Sequence, residues 1–330
     1  MPARTDQSSF STAVCDDGDD STVIAHERHW YDGEMIIVQV ENTSFKLHDS
    51  RLAKESKWFR EKLSLKGSED AINSDGCKIY VVGQANLGIV VTKRSFAALV
   101  DAMEDAIKYM LSEDSIPRHG VICDILYAAT ALGFTRYRAW AVSRLEKHYW
   151  SSDLKTLRTQ PSWTVEICER AIVTSRECNV PSILKRALYE LVRRPDYWKG
   201  GLDDPNEVLQ SLEITLAGAR LKLAQEWSSR ASLVIPTLAE DSLCCKYLEP
   251  APHESAFGHA YTSYMHHGPK GLFRQYLFDP IAGLLALSKK QWETPQICKG
   301  CVKKAQAGWI ADRQKLWDRL DEWLGLETVS

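Results

Sequence analysis

The repeat of the apolar residues changes along this chain, and that change limits most what the chain can fold into. Up to Thr92 they gather in short β-prone runs: MIIVQVE from Met35 to Glu41, SFKLHD from Ser44 to Asp49, CKIYVVG from Cys77 to Gly83 and GIVVT from Gly88 to Thr92. Runs this short and rich in β-branched residues suit strands and are too brief for helices. Past Trp150 such runs largely stop, and apolar residues return every three or four positions, the spacing that lines one face of a helix. The chain is therefore predicted to be an α+β N-terminal unit, a small sheet capped by helices, followed by a mostly α-helical region.

The first two runs, separated by Asn42 and Thr43, read as a hairpin, and the second two as another pair joined by the polar loop QANL. Between the pairs, RLAKESKWFREKLS sets Leu52, Trp58, Phe59 and Leu63 on one helical face, with Ser50 the expected N-cap. SFAALVDAMEDAIKYM places Phe96, Leu99, Val100, Met103, Ile107 and Met110 on a single stripe. Helices are then expected at Val121–Leu132 and Tyr137–Tyr149, with Gly133 as a C-cap between them. Further helices are expected at Val165–Ser175, Pro181–Arg194, Glu207–Trp227 and Val302–Leu324, the second ended by Pro195 and carrying Ile183, Leu184, Ala187, Leu188 and Leu191 on one face. The division is a polar, acidic tail over 1–25, expected to be disordered, an α+β unit over 26–150, a helical extension over 151–240 and a helical C-terminal region over 241–330. No fixed-period repeat marks a solenoid.

Lys plus Arg number 41 against 44 Asp plus Glu, a formal net charge of -3, so no overall field draws in a phosphate backbone. Direct nucleic-acid binding is not expected. The start of the chain lacks the apolar core of a signal peptide, and no later stretch has the roughly 18 uninterrupted apolar residues of a membrane span. Nine cysteines, an odd number set mostly in helical apolar patterns, do not form a disulfide framework. A soluble protein of the cytosol or nucleus, with no membrane partner, is the expectation.

Catalytic motifs are sparse. Neither a Gly-x-Ser-x-Gly elbow nor a phosphate-cradling Gly-rich loop occurs, and the paired carboxylates Asp19-Asp20 and Asp203-Asp204 sit in polar stretches as solvated charge. The chain is expected not to be an enzyme. Metal-ligand character is confined to the C-terminal third: Cys244 and Cys245, then His253, His259, His266 and His267, then Cys298-Lys-Gly-Cys301. The four cysteines either share a structural zinc, which takes thiolates tetrahedrally, or stay unligated; the spacing exceeds fifty residues, wide for a compact finger. A redox reading of Cys298 and Cys301 lacks the preceding strand it needs. His266-His267 lie in YMHHGPKG, expected to be a loop. Trp309, Trp317 and Trp323, with Val302, Ala305, Leu316, Leu320 and Leu324, form a stripe that reads as core or as a partner-helix face.

The stretch from Asp32 through DGEMIIVQVENTSFKLHDSRLAKESKWFREKLS resembles the opening of the BTB/POZ domain. That family has two strands ending in an apolar-x-His pair and then a Leu-Ala-x-x-Ser-x-x-Phe helix, matched here by Leu47, His48, Leu52, Ala53, Ser56 and Phe59. SFAALVDAMEDAIKYM and ICDILYAATALGFTRYRAWAVSRLE are similar to the family's later helices, so the resemblance runs over Asp32 to Trp150, and more narrowly the chain resembles fungal BTB-containing proteins. The resemblance implies a protein-interaction scaffold that forms a homodimer near Trp58, Phe59 and Leu63, residues that as an apolar helix face equally suit the core. It implies a structural role for His48, and Asp49 stands where the family usually has a basic residue, which weakens any charged pocket for a corepressor. Helices over Val165 to Arg194 resemble the extension that follows BTB domains in adaptors docking on a cullin-type scaffold of ubiquitin ligases. Two uses follow, a ligase adaptor or a transcriptional co-regulator that recruits a corepressor; a zinc-stabilised protein of another class stands as a third reading.

Overall fold

A computed structural model describes residues 34–64, 71–72, 77–83, 88–105, 116–199, 207–232, 250–267, 271–292 and 299–326, with the side chains of 71–72, 232 and 250–255 excepted. The acidic tail, Asp32, the QANL loop, Ile107, Met110 and Asp203-Asp204 lie outside these residues.

The chain opens with a hairpin, β1 (Met35–Val40) and β2 (Thr43–His48), in register from Met35 opposite His48 to Val40 opposite Thr43. The turn is Glu41-Asn42, one residue earlier than expected, with Glu41 at φ 52°. Ile36, Val38 and Val40 alternate inward along β1 as the two-residue strand period requires. Two short helices follow, α1 (Asp49–Glu55) and α2 (Lys57–Ser64), then β3 (Ala71–Ile72) and β4 (Lys78–Val82). The sheet order is β2-β1-β4-β3, with β4 parallel to β1 and antiparallel to β3.

Gly88–Thr92, expected as a strand, is not one. Both edges of β4 are already taken by β1 and β3, so the run cannot pair with β4 as expected. Gly88 turns at φ 64°, Val91 drops into the core, and Thr92 becomes the N-cap of α3 (Lys93–Glu104). There Thr92 and Ser95 form a reciprocal capping box. Phe96, Leu99 and Met103 of the expected stripe are buried, and Val100 packs half-buried at its margin.

Next come α4 (His119–Ala131) and α5 (Thr135–His148), close to their expected bounds. Gly133 ends α4 at φ 69°, and the Phe134 amide donates back to the Ala129 carbonyl at 2.8 Å, the closure that favours glycine after a helix. Beyond Trp150 the described elements are helical: a single 3-10 turn at Leu154–Thr156, then α6 (Val165–Glu177), α7 (Pro181–Val192), α8 (Glu207–Ser232), α9 (Pro250–His266), α10 (Leu272–Gln275), α11 (Pro280–Lys289) and α12 (Lys299–Trp323). An α+β unit followed by helices is thus the architecture. The tryptophan stripe of α12 is core: Trp309, Leu316, Trp317, Leu320 and Trp323 are all buried.

The two parts are packed together. Asp124 of α4, 7% exposed at its side chain, is held by Arg94 of α3 and Arg170 of α6. Further along, Asp279 caps α11 through the Ala282 amide, accepts from the Tyr189 hydroxyl of α7, and lies 3.3 Å from Arg193 Nε. Glu190 pairs with Arg186 at 3.1 Å and Arg193 at 3.5 Å. Burial alone would pull the Arg193 guanidinium down, but Asp279, Tyr189 and Glu190 together hold it above its ordinary value. Arg193 also donates to the Arg158 carbonyl, and Arg313 of α12 to the Leu154 carbonyl at 2.7 Å. This buried ion network ties the 151–158 segment to α7, α11 and α12.

Candidate interaction surface

The residues that carry the N-terminal motif separate into an inward and an outward set. Leu52, Ser56 and Phe59 are buried, Leu47, Trp58 and Leu63 are half-buried, and His48 is exposed where β2 meets α1. Phe59, expected to contribute to a dimer contact, is 0% exposed. Its ring meets Trp58 and Phe134 edge-on at 4.8 and 6.2 Å, so it belongs to the core and not to a contact face. Trp58 and Leu63 stay at the surface of α2, with the Lys62 ammonium 5.8 Å from the Trp58 ring.

The segment read as one helix is broken at Ser56, which is extended at φ -118° and ψ 129°. The Ser56 hydroxyl donates to the Leu132 carbonyl at 2.5 Å and accepts from the Phe59 amide at 3.0 Å, while the Lys57 amide donates to the Gly133 carbonyl at 3.2 Å. Ser56 therefore caps α2 and fastens it to the end of α4. Ser50 is not the N-cap of α1. That position is His48, whose side chain makes no cap bond, and Ser50 Oγ is buried with no hydrogen-bond partner among the described residues. Asp49 supplies a carboxylate to the first turn of α1 and accepts from the Ser50 amide, a favourable place for negative charge.

A groove of about 110 Å³ lies between β2, α1 and α3, lined by His48, Arg51, Leu52, Val100 and Met103 among others. Arg51 spans it, pairing with the Glu104 carboxylate and donating to the Met103 carbonyl. The groove adjoins β2, which is an edge strand because its only sheet neighbour among the described residues is β1. Ser44, Lys46 and His48 point outward along it. An unpaired strand edge is a template for adding another strand.

A larger cavity of about 270 Å³ sits at the end of α5, lined by Lys147, His148, Tyr149, Arg158, Trp163 and Arg186 among others. Its basic character has a structural cause: Lys147 and His148 occupy the last turn of α5, where cations balance the helix dipole, and Arg186 is paired with Glu190.

Sequence reasoning passed over His119 and Cys123, four residues apart in α4 and so on one face. Trp150 Nε1 donates to His119 Nε2 at 2.9 Å, and Cys123 Sγ lies 3.7 Å from the same nitrogen. Burial and Arg170 lower the His119 pKa to about 4, and burial raises that of Cys123 to about 11. A neutral imidazole accepting from an indole beside a protonated thiol is a packing arrangement, opposite to the thiolate–imidazolium polarity of a nucleophilic pair.

Of the four cysteines considered for zinc, Cys301 is buried in the first turn of α12; Cys244, Cys245 and Cys298 lie outside the described residues, as does the side chain of His253. Among the described residues no three His, Cys, Asp or Glu side chains gather as a metal site. The expected loop at His266-His267 is instead the end of α9: His266 is its last residue and packs on Phe273 at 5.6 Å, and the His267 amide donates to the Ser263 carbonyl. Among the described residues no helix is long and apolar enough to cross a membrane. Comparison with protein-family models, curated proteins and solved structures gives no match.

Proposed function

We propose that this chain is a protein-interaction scaffold whose N-terminal unit is of the BTB/POZ type, self-associating through α2 and the β2 edge and serving as an adaptor for a cullin-type ubiquitin ligase. The observation that carries the reading is the chain path. A hairpin and two short helices come before a strand that returns parallel to β1, and three more helices follow that share one core with the sheet. Leu52, Ser56 and Phe59 of the motif meet in that core. Residues of the same motif leave Trp58, Leu63 and the β2 edge at the surface, where a second copy can reach them. The helical remainder, continuous in packing with α4, is the region left to hold a client.

Light scattering on the intact chain tests the self-association. The reading expects self-association that Trp58→Glu and Leu63→Glu each weaken, with the helical circular dichroism retained. A wild type that remains monomeric at tens of micromolar, or a dimer indifferent to both changes, refutes it.

A further inference from the structure

Helix α8 is apolar on two opposite sides. Leu209, Leu212, Leu216, Ala219, Leu223 and Trp227 face the core, which accounts for one side. On the other, Ile214 is 88% and Leu221 59% exposed. They are seven residues apart, with Ala217 between them also exposed, and Gln210 continues the row one turn earlier. This is the four-three spacing of a helix-pairing seam. Among the described residues nothing lies within 4 Å of where a Cβ on the neighbouring Gly218 would sit. A surface helix normally presents polar residues opposite its core face, and here Ile214 and Leu221 interrupt them.

Charge on the flank of this row points to what covers it. Arg220 lies half-buried against the Phe278 ring at 3.7 Å and the Trp198 ring at 4.9 Å, and donates to the Val192 carbonyl. Among the described residues no carboxylate pairs with it, and burial lowers its pKa to about 10, the mark of a cation short of a counter-charge. Glu213, exposed and seven residues earlier on the same flank, is too distant along its own helix to supply one. When two identical helices pair antiparallel, however, each flank meets the same flank of its partner. A two-fold axis near Ala217 then sets Glu213 of each copy beside Arg220 of the other, while Ile214, Ala217 and Leu221 close the seam between them.

We propose that α8 is a second self-association surface, on which two copies of this chain pack antiparallel along Ile214, Ala217 and Leu221 with reciprocal Glu213–Arg220 pairs. The surface is separate from the α2 and β2 edge and does not depend on the proposed function. A single helix pair is small beside the roughly 1,600 Å² of a standard interface, so its dimer is expected to depend on concentration in the micromolar range.

Sedimentation velocity on the full chain over a concentration series tests this, run also in Leu63→Glu so that loss at α2 is read separately. Ile214→Asp and Leu221→Asp are expected to abolish the α8 step, with helical circular dichroism and melting unchanged because both side chains are exposed. Glu213→Arg places like charges together twice per dimer and is expected to raise the dissociation constant about tenfold; Glu213→Arg with Arg220→Glu is expected to recover association relative to Arg220→Glu alone. A wild type whose mass is unmoved by the seam changes, or a Glu213→Arg variant that associates as the wild type does, overturns the proposal, including where another protein or another part of the chain covers the seam.

Discussion

Ser56→Ala and Ser50→Ala make a paired test of how the first two helices are held. In Ser56→Ala the Leu132 carbonyl loses its 2.5 Å donor and the Phe59 amide its 3.0 Å acceptor, both in a buried setting. Losing a serine N-cap costs about 1 kcal/mol, and stranding a buried carbonyl adds about 1–3 kcal/mol, for a total of about 2–4 kcal/mol. Ser50 offers the contrast. Its hydroxyl is buried with no partner among the described residues, so alanine removes an unsatisfied group at a helical position it favours, and the change is expected to lie within about 0.5 kcal/mol of zero. Urea unfolding followed by circular dichroism and tryptophan fluorescence measures both, with a change in midpoint at constant slope reporting stability. A Ser50→Ala loss equal to that of Ser56→Ala, or a Ser56→Ala loss under about 1 kcal/mol, would show that the clasp between α2 and α4 has been misassigned.

Three further outcomes follow from buried groups. His119 is lowered from 6.5 to about 4 in the folded chain, so the unfolded chain takes up the proton first: stability is intact above pH 6.5 and declines as pH falls toward 4, by about 3 kcal/mol in all. Denaturation across that range should show a shallower decline in His119→Gln, and identical slopes would count against the assignment. Asp279→Asn removes a charge facing Arg193 and is expected to cost about 3–5 kcal/mol by chemical denaturation, whereas Asp196→Asn at its exposed pair with Arg194 should cost less than about 1 kcal/mol. Gly283→Ala would set a Cβ 2.5 Å from the Trp227 ring, which is anchored by its bond to the Phe273 carbonyl; a loss of about 1–3 kcal/mol and a shifted tryptophan emission are expected, and an unchanged melt contradicts the packing.

What could be read from the sequence followed from period. β1, β2 and β4, the stripe of α3, the cap at Gly133 and the helices from Val165 to Val192 lie within a few residues of expectation, because each buries one regularly spaced face. The misses came where a local pattern depended on distant partners. GIVVT reads as a strand paired with β4, but both edges of β4 are filled by β1 and β3. The break at Ser56 depends on Leu132, 76 residues away, so local spacing favoured one helix capped at Ser50. Phe59 and Trp58 are adjacent and equally apolar in sequence, and only the packing of Phe134 turns Phe59 inward. Helices α9 to α11 were covered by the helical expectation for 241–330 without being resolved individually. Asp279-Pro280, an N-cap followed by a proline at the first helical position, was a usable signal for α11. The outer seam of α8 was also present in the sequence, but it becomes visible only once the other face of the helix is seen to be filled.

The central claim is that the N-terminal unit is an interaction module that carries a helical client region to a cullin-type scaffold. Affinity purification from native cells tests it most directly, comparing the intact chain with Trp58→Glu and Leu63→Glu; deleting the whole unit is unsuitable because α4 packs on α6 and its loss would expose their shared core. The account predicts that the intact chain recovers a cullin-type scaffold together with a second copy of itself, and that both variants recover less of the second copy. Recovery of neither contradicts the account, and recovery of a corepressor in place of the cullin contradicts the ligase assignment in favour of a transcriptional one.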